Sequence, residues 1–98
     1  MPVLMQARVK GMTEGEYRGL TSGDFYDRIG RAEGYLGLHV AGPSNGGWQV
    51  FETWESVDAH QSWVESSIAP LLPAGAADAM EVTYHELVSG RWPLKRDS

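Results

Sequence analysis

The sequence predicts an α+β fold in which a four-stranded antiparallel sheet carries two helices on one face. Three observations indicate it. Alternating apolar residues mark a strand near each end of the chain, a glycine-rich turn joins two more strand-like segments in the middle, and a segment with helical spacing follows the first and third strands. The predicted order is therefore β-α-β-β-α-β, and two right-handed crossovers of this kind give the ferredoxin-like arrangement.

The first strand is predicted over residues 3–10, where apolar side chains recur at every second position. Thr13 follows as a candidate N-cap, because its hydroxyl can accept a hydrogen bond from a free amide of the first helical turn. The helical region that it opens extends to Arg31. Since glycine costs about 1 kcal/mol relative to Ala in a helix interior, a break in this region is predicted near Gly23.

Two strands are predicted in the middle of the chain, at Tyr35–Ala41 and Trp48–Trp54, where aromatic and β-branched residues are frequent. Residues 42–47 between them include three glycines, one proline and one asparagine, residue types that favour a reversal of direction. The two strands are therefore expected to pair as an antiparallel hairpin.

A second helix is predicted directly after this hairpin, with Ser56 as its N-cap. Apolar side chains continue at helical spacing until Pro70 and Pro73, which lack amide donors and are expected to kink or end the helix. The alternating segment Glu81–Val88 completes the predicted sheet as its last strand.

Composition limits the class of protein. The 98-residue chain fits one domain, predicted over residues 1–90 with 91–98 as a C-terminal extension. The formal charge of −5 disfavours nucleic acid as a partner, because that partner usually requires clustered Lys and Arg. The chain contains no cysteine for thiol chemistry, and no stretch approaches the ~20 apolar residues that span a bilayer. We expect a cytoplasmic protein that binds neither nucleic acid nor membrane.

The third predicted strand carries apolar side chains on both faces, with Trp48 and Val50 on one face and Phe51 on the other. The face without helices is therefore not expected to remain in water. A symmetric homodimer in which two sheets pack together is the simplest arrangement that covers it.

The passage from the third strand into the second helix resembles the antibiotic biosynthesis monooxygenase-like family of the dimeric α+β barrel superfamily. The residues that carry the resemblance are Gly42-Pro43, Gly46-Gly47-Trp48, Glu52-Thr53-Trp54-Glu55-Ser56, Ala59 and Trp63. The resemblance implies a dimer whose ligand lies between the sheet and the helices of each subunit. The superfamily includes cofactor-free oxygenases, cyclases, isomerases and haem-degrading enzymes. Haem is disfavoured here, because no asparagine occupies the first strand and no histidine occupies the position near Pro73.

Two histidines are the candidate catalytic residues. His60 occupies the inward face of the second helix, where an apolar residue is the ordinary choice, and a histidine can act as a general base near neutral pH. His39 lies on the second strand beside the small residues Gly37 and Ala41, which leave room for a ligand. The alternatives are a histidine at the core edge that bonds a backbone carbonyl, and close packing of the partner sheet against His39.

Four residues are predicted to contact substrate: Trp63, Tyr84, Val64 and Phe51. Trp63 and Val64 lie one turn beyond His60, and the phenol of Tyr84 can donate to a substrate oxygen. Tyr84 and His85 lie on opposite faces of the last strand, so at most one of them enters a given cavity. Most of the other aromatic side chains are expected in the core or at the dimer interface. No spacing of ligands predicts a metal site.

Three functions follow from these residues and the resemblance. The first is a cofactor-independent monooxygenase, which deprotonates an aromatic or enolisable polyketide-like compound and lets the substrate anion reduce oxygen. The second is a cyclase or isomerase that uses the same deprotonation without oxygen. The third is a dimer that binds a small molecule without catalysis.

Overall fold

The computed structural model describes residues 1–72 and 79–91. These residues form four strands and three α-helices. The elements are β1 (Val3–Lys10), α1 (Glu14–Leu20), α2 (Phe25–Gly30), β2 (Tyr35–Ser44), β3 (Gly47–Trp54), α3 (Val57–Trp63) and β4 (Met80–Glu86). After α3 the chain makes one π-helical turn, Val64–Ile68, and one 3-10 turn, Ala69–Leu71.

The strands form one antiparallel sheet in the order β2-β3-β1-β4, which confirms the predicted α+β, ferredoxin-like fold. The register places Glu52 of β3 opposite His39 of β2 and Met5 of β1, and Met5 lies opposite Tyr84 of β4. Residues opposite one another in a ladder share a face of the sheet. A row of four side chains therefore crosses the sheet on the face that the helices cover.

The first helical region is divided as predicted. Thr13 caps α1 through a capping box, in which its hydroxyl accepts from the amide of Glu16 and the Glu16 carboxylate accepts from the amide of Thr13. The helix ends at Leu20, and α2 begins at Phe25 after Gly23, which has a φ of 70°. The break turns the chain so that Tyr17 before it and Phe25 after it are both buried.

The hairpin is tighter than predicted. Strand β2 continues through Pro43 to Ser44, and only Asn45 and Gly46 separate it from β3. Pro43 is tolerated because β2 is an edge strand, where a missing amide donor breaks no ladder on its outer side. Gly46 has a φ of 79°, which suits a two-residue turn.

Helix α3 lies close to the start of β2. Gly34 has a φ of 84°, and a Cβ atom at this position would lie 2.5 Å from the Cβ of Ala59. The Gly34 carbonyl also accepts a hydrogen bond of 2.7 Å from the amide of Glu55. The absence of a side chain at Gly34 therefore sets how closely α3, with His60 and Trp63, approaches the sheet.

Regular α-helix ends at Trp63, earlier than predicted. Ser66 Oγ donates to the carbonyl of Ser62 at 2.8 Å, a contact that bends helices, and Pro70 supplies no amide donor one turn later. The ordered strand β4 ends at Glu86, two residues before the predicted end. Pro73, the connection at 74–77 and residues 92–98 of the predicted extension lie outside the described residues.

The core lies between the sheet and the helices. Its members are buried residues of β1, β3, α2 and α3: Val3, Met5, Ala7, Phe25, Ile29, Trp54 and Trp63. Among residues 1–72 and 79–91, no helix is long and apolar enough to cross a membrane.

Candidate active site

A cavity of about 290 Å³ lies between the sheet and the helices. Its walls are mainly apolar, with Met5, Ala7 and Val50 from the sheet and Leu20, Phe25, Trp63, Val64 and Ile68 from the helical side. The volume is near the lower end of the range for small-molecule pockets, about 300–1,000 Å³. Polar groups interrupt the apolar lining at its floor, where Glu52, His39, His60 and Tyr17 come together.

Glu52 is the centre of this polar group. It occupies an inward position of β3, between Val50 and Trp54, and is only 4% exposed. Its carboxylate accepts two hydrogen bonds, from His39 Nδ1 at 2.7 Å and from Trp54 Nε1 at 2.9 Å. A buried carboxylate is costly unless donors satisfy it. These two donors meet that requirement, and both of them belong to the sheet.

His60 approaches the same carboxylate from α3. Its Nε2 lies 3.8 Å from Glu52 Oε1, which is an ion-pair separation but too long for a hydrogen bond. Its Nδ1 lies 2.8 Å from the hydroxyl of Tyr84. Burial lowers the pKa of His60, and the charge of Glu52 opposes this effect in part. His60 is therefore a neutral imidazole at neutral pH.

His39 connects Glu52 to two tyrosines. Because a carboxylate only accepts hydrogen bonds, His39 Nδ1 carries the hydrogen that binds Glu52. In the neutral imidazole, Nε2 is then an acceptor, and it receives the hydroxyl hydrogen of Tyr17 at 2.6 Å. Tyr17 Oη in turn lies 3.3 Å from Tyr26 Oη. Burial raises the pKa of Tyr17, so its phenol keeps its proton at neutral pH.

Aromatic rings enclose the floor of the cavity. Phe25 contacts Trp63 and His39 edge-to-face, with centroids 6.0 and 5.6 Å apart. The guanidinium of Arg28 lies over the Trp63 ring, 5.8 Å from the ring centroid. These contacts hold the Trp63 ring in place where it lines the cavity.

The structure places the predicted residues in three different environments. His60, His39, Trp63 and Val64 line the cavity. Tyr84 shares the helix-covered face, whereas His85 on the opposite face lies beside Gln6, as the alternation of β4 predicts. Tyr84 contacts His60 and does not line the cavity.

Phe51 requires a correction. The register pairs it with Gln6 and Val40, so its side chain lies on the face of the sheet that carries no helices. It therefore does not line this cavity. The reason is the period of two along β3, which separates Phe51 from its neighbour Glu52.

Sequence reasoning did not identify Glu52 or Tyr17 as site residues. Glu52 does carry a signal, because it interrupts the apolar side chains at 48, 50 and 54 on one face of β3. A carboxylate at such a position requires buried donors, and His39 is one of them. The contact between Tyr17 and His39 joins residues 22 positions apart, and local patterns do not predict it.

The described residues contain no group of three or more His, Cys, Asp or Glu side chains arranged to hold a metal ion. The chemistry that their geometry offers is proton transfer. Two imidazoles flank one carboxylate, and aromatic walls surround all three groups.

Comparison with solved structures supports the fold. The chain superposes on the crystal structure of a "putative antibiotic biosynthesis monooxygenase" from Deinococcus radiodurans with a TM-score of 0.54, over 97% of this chain and 100% of the other. The two proteins share the fold. Their sequence identity is 12%, so the likeness extends to architecture and not to individual residues. Comparison with protein-family models and with curated protein sequences gives no match.

Proposed function

We propose that this protein is a cofactor-independent, monooxygenase-like enzyme that removes a proton from an aromatic or enolisable, polyketide-like small molecule. The observation that carries the proposal is the buried carboxylate of Glu52, which lies between His39 and His60 at the floor of an aromatic cavity. A base that accepts a proton in a dry cavity acquires a positive charge. Glu52 is placed to stabilise that charge.

His60 is the proposed base. Both nitrogens of His39 have hydrogen-bond partners in the protein, Glu52 and Tyr17. His60 Nε2, by contrast, has no partner within hydrogen-bond distance among the described residues. The active tautomer carries its hydrogen on Nδ1 and donates it to Tyr84 Oη, which leaves the Nε2 lone pair toward the cavity. When Nε2 accepts the substrate proton, the positive charge forms on a ring whose Nε2 lies 3.8 Å from Glu52 Oε1.

The substrate that suits this site is flat and apolar, with one acidic C–H or O–H group. Trp63 and Val64 form one side of the cavity, and Met5 and Val50 form the floor beside Glu52. A conjugated ring system would bury apolar surface against these walls and spread the negative charge that deprotonation creates. Tyr84 acts as a positioning residue, because it contacts His60 and not the cavity.

In the monooxygenase reaction, the substrate anion supplies the electrons that reduce oxygen. The overall change converts a CH2 group and O2 into a carbonyl group and water, so that no external reductant is needed. A cyclase or isomerase would use the same proton abstraction and consume no oxygen. The non-catalytic alternative is favoured by His39, whose two nitrogens are both satisfied by protein groups.

The test is proton exchange at carbon. We would incubate the protein in D2O with a panel of anthrone- and tetralone-like compounds, follow loss of the C–H signal by NMR, and record oxygen uptake in parallel. We expect exchange with at least one compound, at least tenfold slower in His60→Gln and unchanged in His85→Gln, which alters a histidine on the opposite face of the sheet, outside the cavity. Exchange at the buffer rate for every compound would refute the proposal. Exchange without oxygen uptake would favour the cyclase or isomerase.

A homodimer through the helix-free face of the sheet forms part of the proposal. Phe51 and Val40 lie opposite each other on that face, and Val40 is 49% exposed in the single subunit. Burying these side chains against a second copy would remove apolar surface from water. Phe51→Asp should give monomers in analytical ultracentrifugation, whereas Ser62→Asp on the exposed side of α3 should not. An unchanged dimer, or a wild-type monomer, would refute this packing.

A further inference from the structure

The hydrogen bonds around His39 form a chain that leads from the cavity floor to the protein surface. Its links are Glu52 to His39 at 2.7 Å, His39 to Tyr17 at 2.6 Å, and Tyr17 to Tyr26 at 3.3 Å. Its inner end is 4% exposed and its outer end, Tyr26, is 54% exposed. The base proposed above, His60, is not a member of this chain.

We propose that Glu52, His39 and Tyr17 form a second proton-transfer unit, which ionises a hydroxyl group of the bound ligand, and that Tyr26 passes the proton to solvent. The proposal rests on the proposed function in that a small molecule must occupy the cavity. It adds a chemical class to the ligand, namely a phenol or an enol.

The polarity of the hydrogen bonds determines the direction of transfer. Nδ1 of His39 must donate to Glu52, so Nε2 of the neutral ring accepts from Tyr17. One lone pair of the Tyr17 oxygen then accepts from the Tyr26 hydroxyl, and the other can accept a hydrogen bond from a ligand hydroxyl, since Tyr17 also lines the cavity. Tyr17 thus presents an acceptor to the ligand and a donor to His39.

Each step moves one proton between hydrogen-bonded atoms. The ligand O–H passes its proton to Tyr17 Oη as Tyr17 passes its own proton to His39 Nε2. This leaves a ligand anion and an imidazolium paired with the Glu52 carboxylate. For release, His39 returns the Nε2 proton to Tyr17, Tyr17 passes its proton to Tyr26, and Tyr26 passes one to water. The imidazolium makes this possible because Tyr17 now accepts from His39 and can donate to Tyr26.

The electrostatics around Tyr17 favour its role as a relay. The charge of Glu52 and the hydroxyl of Tyr26 add to burial in raising the pKa of Tyr17, whereas Arg18 opposes them. A stable phenolate at Tyr17 is therefore disfavoured. The negative charge therefore forms on the ligand and the positive charge on His39, whose Nδ1 lies 2.7 Å from the Glu52 carboxylate.

The test uses 4-nitrophenol, whose absorbance distinguishes the phenol from the phenolate, and its methyl ether, 4-nitroanisole, as a ligand without a hydroxyl group. We would titrate each bound probe from pH 5 to 9 with wild type, Tyr17→Phe, His39→Gln and Tyr26→Phe. Tyr35→Phe is the matched control, because the Tyr35 ring packs on Trp54 and is not part of the hydrogen-bond chain.

We expect Tyr17→Phe and His39→Gln to reduce the ionisation constant of bound nitrophenol by at least about tenfold, one pH unit. Tyr35→Phe should leave it unchanged. Tyr26→Phe should preserve the equilibrium but slow proton release at least tenfold in stopped-flow with a pH indicator, and imidazole buffer should restore the rate. Equal ionisation constants of bound nitrophenol in wild type, Tyr17→Phe and His39→Gln would refute the proposal that these residues transfer a proton from the ligand. A release rate in Tyr26→Phe equal to wild type would overturn the exit route.

Ionisation of bound nitrophenol and proton exchange at carbon test the second unit and the proposed base separately. His60→Gln should retain nitrophenol ionisation while it loses exchange at carbon, and the reverse pattern would overturn the assignment of the second unit. If nitroanisole binds and nitrophenol gives no spectral change at millimolar concentration, the hydroxyl-bearing ligand class is wrong, and the role of His60 as a base at carbon is unaffected. If neither probe binds, the hydroxyl-bearing ligand class is likewise overturned.

Discussion

Replacing Glu52 with Gln is the most direct test of the proposed chemistry. The amide has nearly the same shape as the carboxylate and retains one oxygen, which can accept from either His39 or Trp54. The substitution therefore removes a negative charge while it leaves most of the packing in place. We expect the protein to fold and the abstraction of a proton by His60 to become much slower.

The magnitude follows from the distance between the two groups. Coulomb's law gives about 4 kcal/mol for unit charges 3.8 Å apart at an effective dielectric constant of about 20. Solvent screens this interaction little, because the side chains of His60 and Glu52 are only 4% and 5% exposed. The full value corresponds to about 1,000-fold in the proton-transfer equilibrium, and only part of it is expressed in the rate. The expected loss of exchange rate is therefore about 30- to 1,000-fold.

Two measurements check this prediction. The first is the rate of hydrogen–deuterium exchange at carbon for a compound that wild type processes. The second is an NMR titration of the ring nitrogens, which is tractable because the chain has only three histidines. Since Glu52 raises the pKa of His60, that pKa should fall further in Glu52→Gln, while His85 serves as an internal control. An unchanged titration of His60, with an unchanged exchange rate, would refute the electrostatic role of Glu52.

Three further predictions concern stability. Because burial lowers the pKa of His60, the unfolded chain binds a proton below about pH 6.5 that the folded chain does not bind. Wild type should therefore lose stability relative to His60→Gln as the pH falls below that value. The same difference in unfolding free energy between the two proteins at pH 7.5 and pH 5, measured by denaturant unfolding, would contradict this. Gly46→Ala should lower the free energy of unfolding by ~1–2 kcal/mol, and Gly34→Ala should lower it by several times as much. Both glycines have a positive φ, but of the two only Gly34 would bring its new Cβ against a neighbour, Ala59. Equal losses of unfolding free energy in urea would contradict the close approach of α3. Trp63→Ala should lower the free energy of unfolding by about 3–5 kcal/mol, because it leaves a cavity in place of a buried ring. A loss below about 1 kcal/mol would show that the ring is not packed as described.

The fold was predictable because each element carries a local signal. Strand β1 has apolar residues at every second position, Thr13 and Ser56 cap their helices as expected, and the break at Gly23 follows from glycine chemistry. The end of α3 was not predictable, since the π-helical turn depends on the side chain of Ser66 and on packing beyond the local pattern. The short turn at Asn45 was missed because Pro43 usually interrupts a strand, and only its place at the sheet edge allows it.

The candidate site was predictable only in part. His60 and Trp63 could be assigned to the inner face of α3 from helical spacing alone. The group that relates the two histidines is Glu52, and its importance arises from the register of three strands and the position of a helix. No pattern within one element contains this information, because His39 and His60 are 21 positions apart and meet only through β3.

The cost of Glu52 argues that this carboxylate serves more than the fold. A buried carboxylate must be desolvated, and an apolar residue of similar volume is often equally or more stabilising when its neighbours are apolar too. Here the neighbours are two donors, His39 and Trp54, and a third polar ring, His60, which a purely structural core would not require. Glu52, His39 and His60 line a cavity large enough for a small molecule and do not lie in a closed core. Because desolvating its carboxylate opposes folding, such a cluster contributes little net stability. It is well suited to hold a proton taken from a ligand.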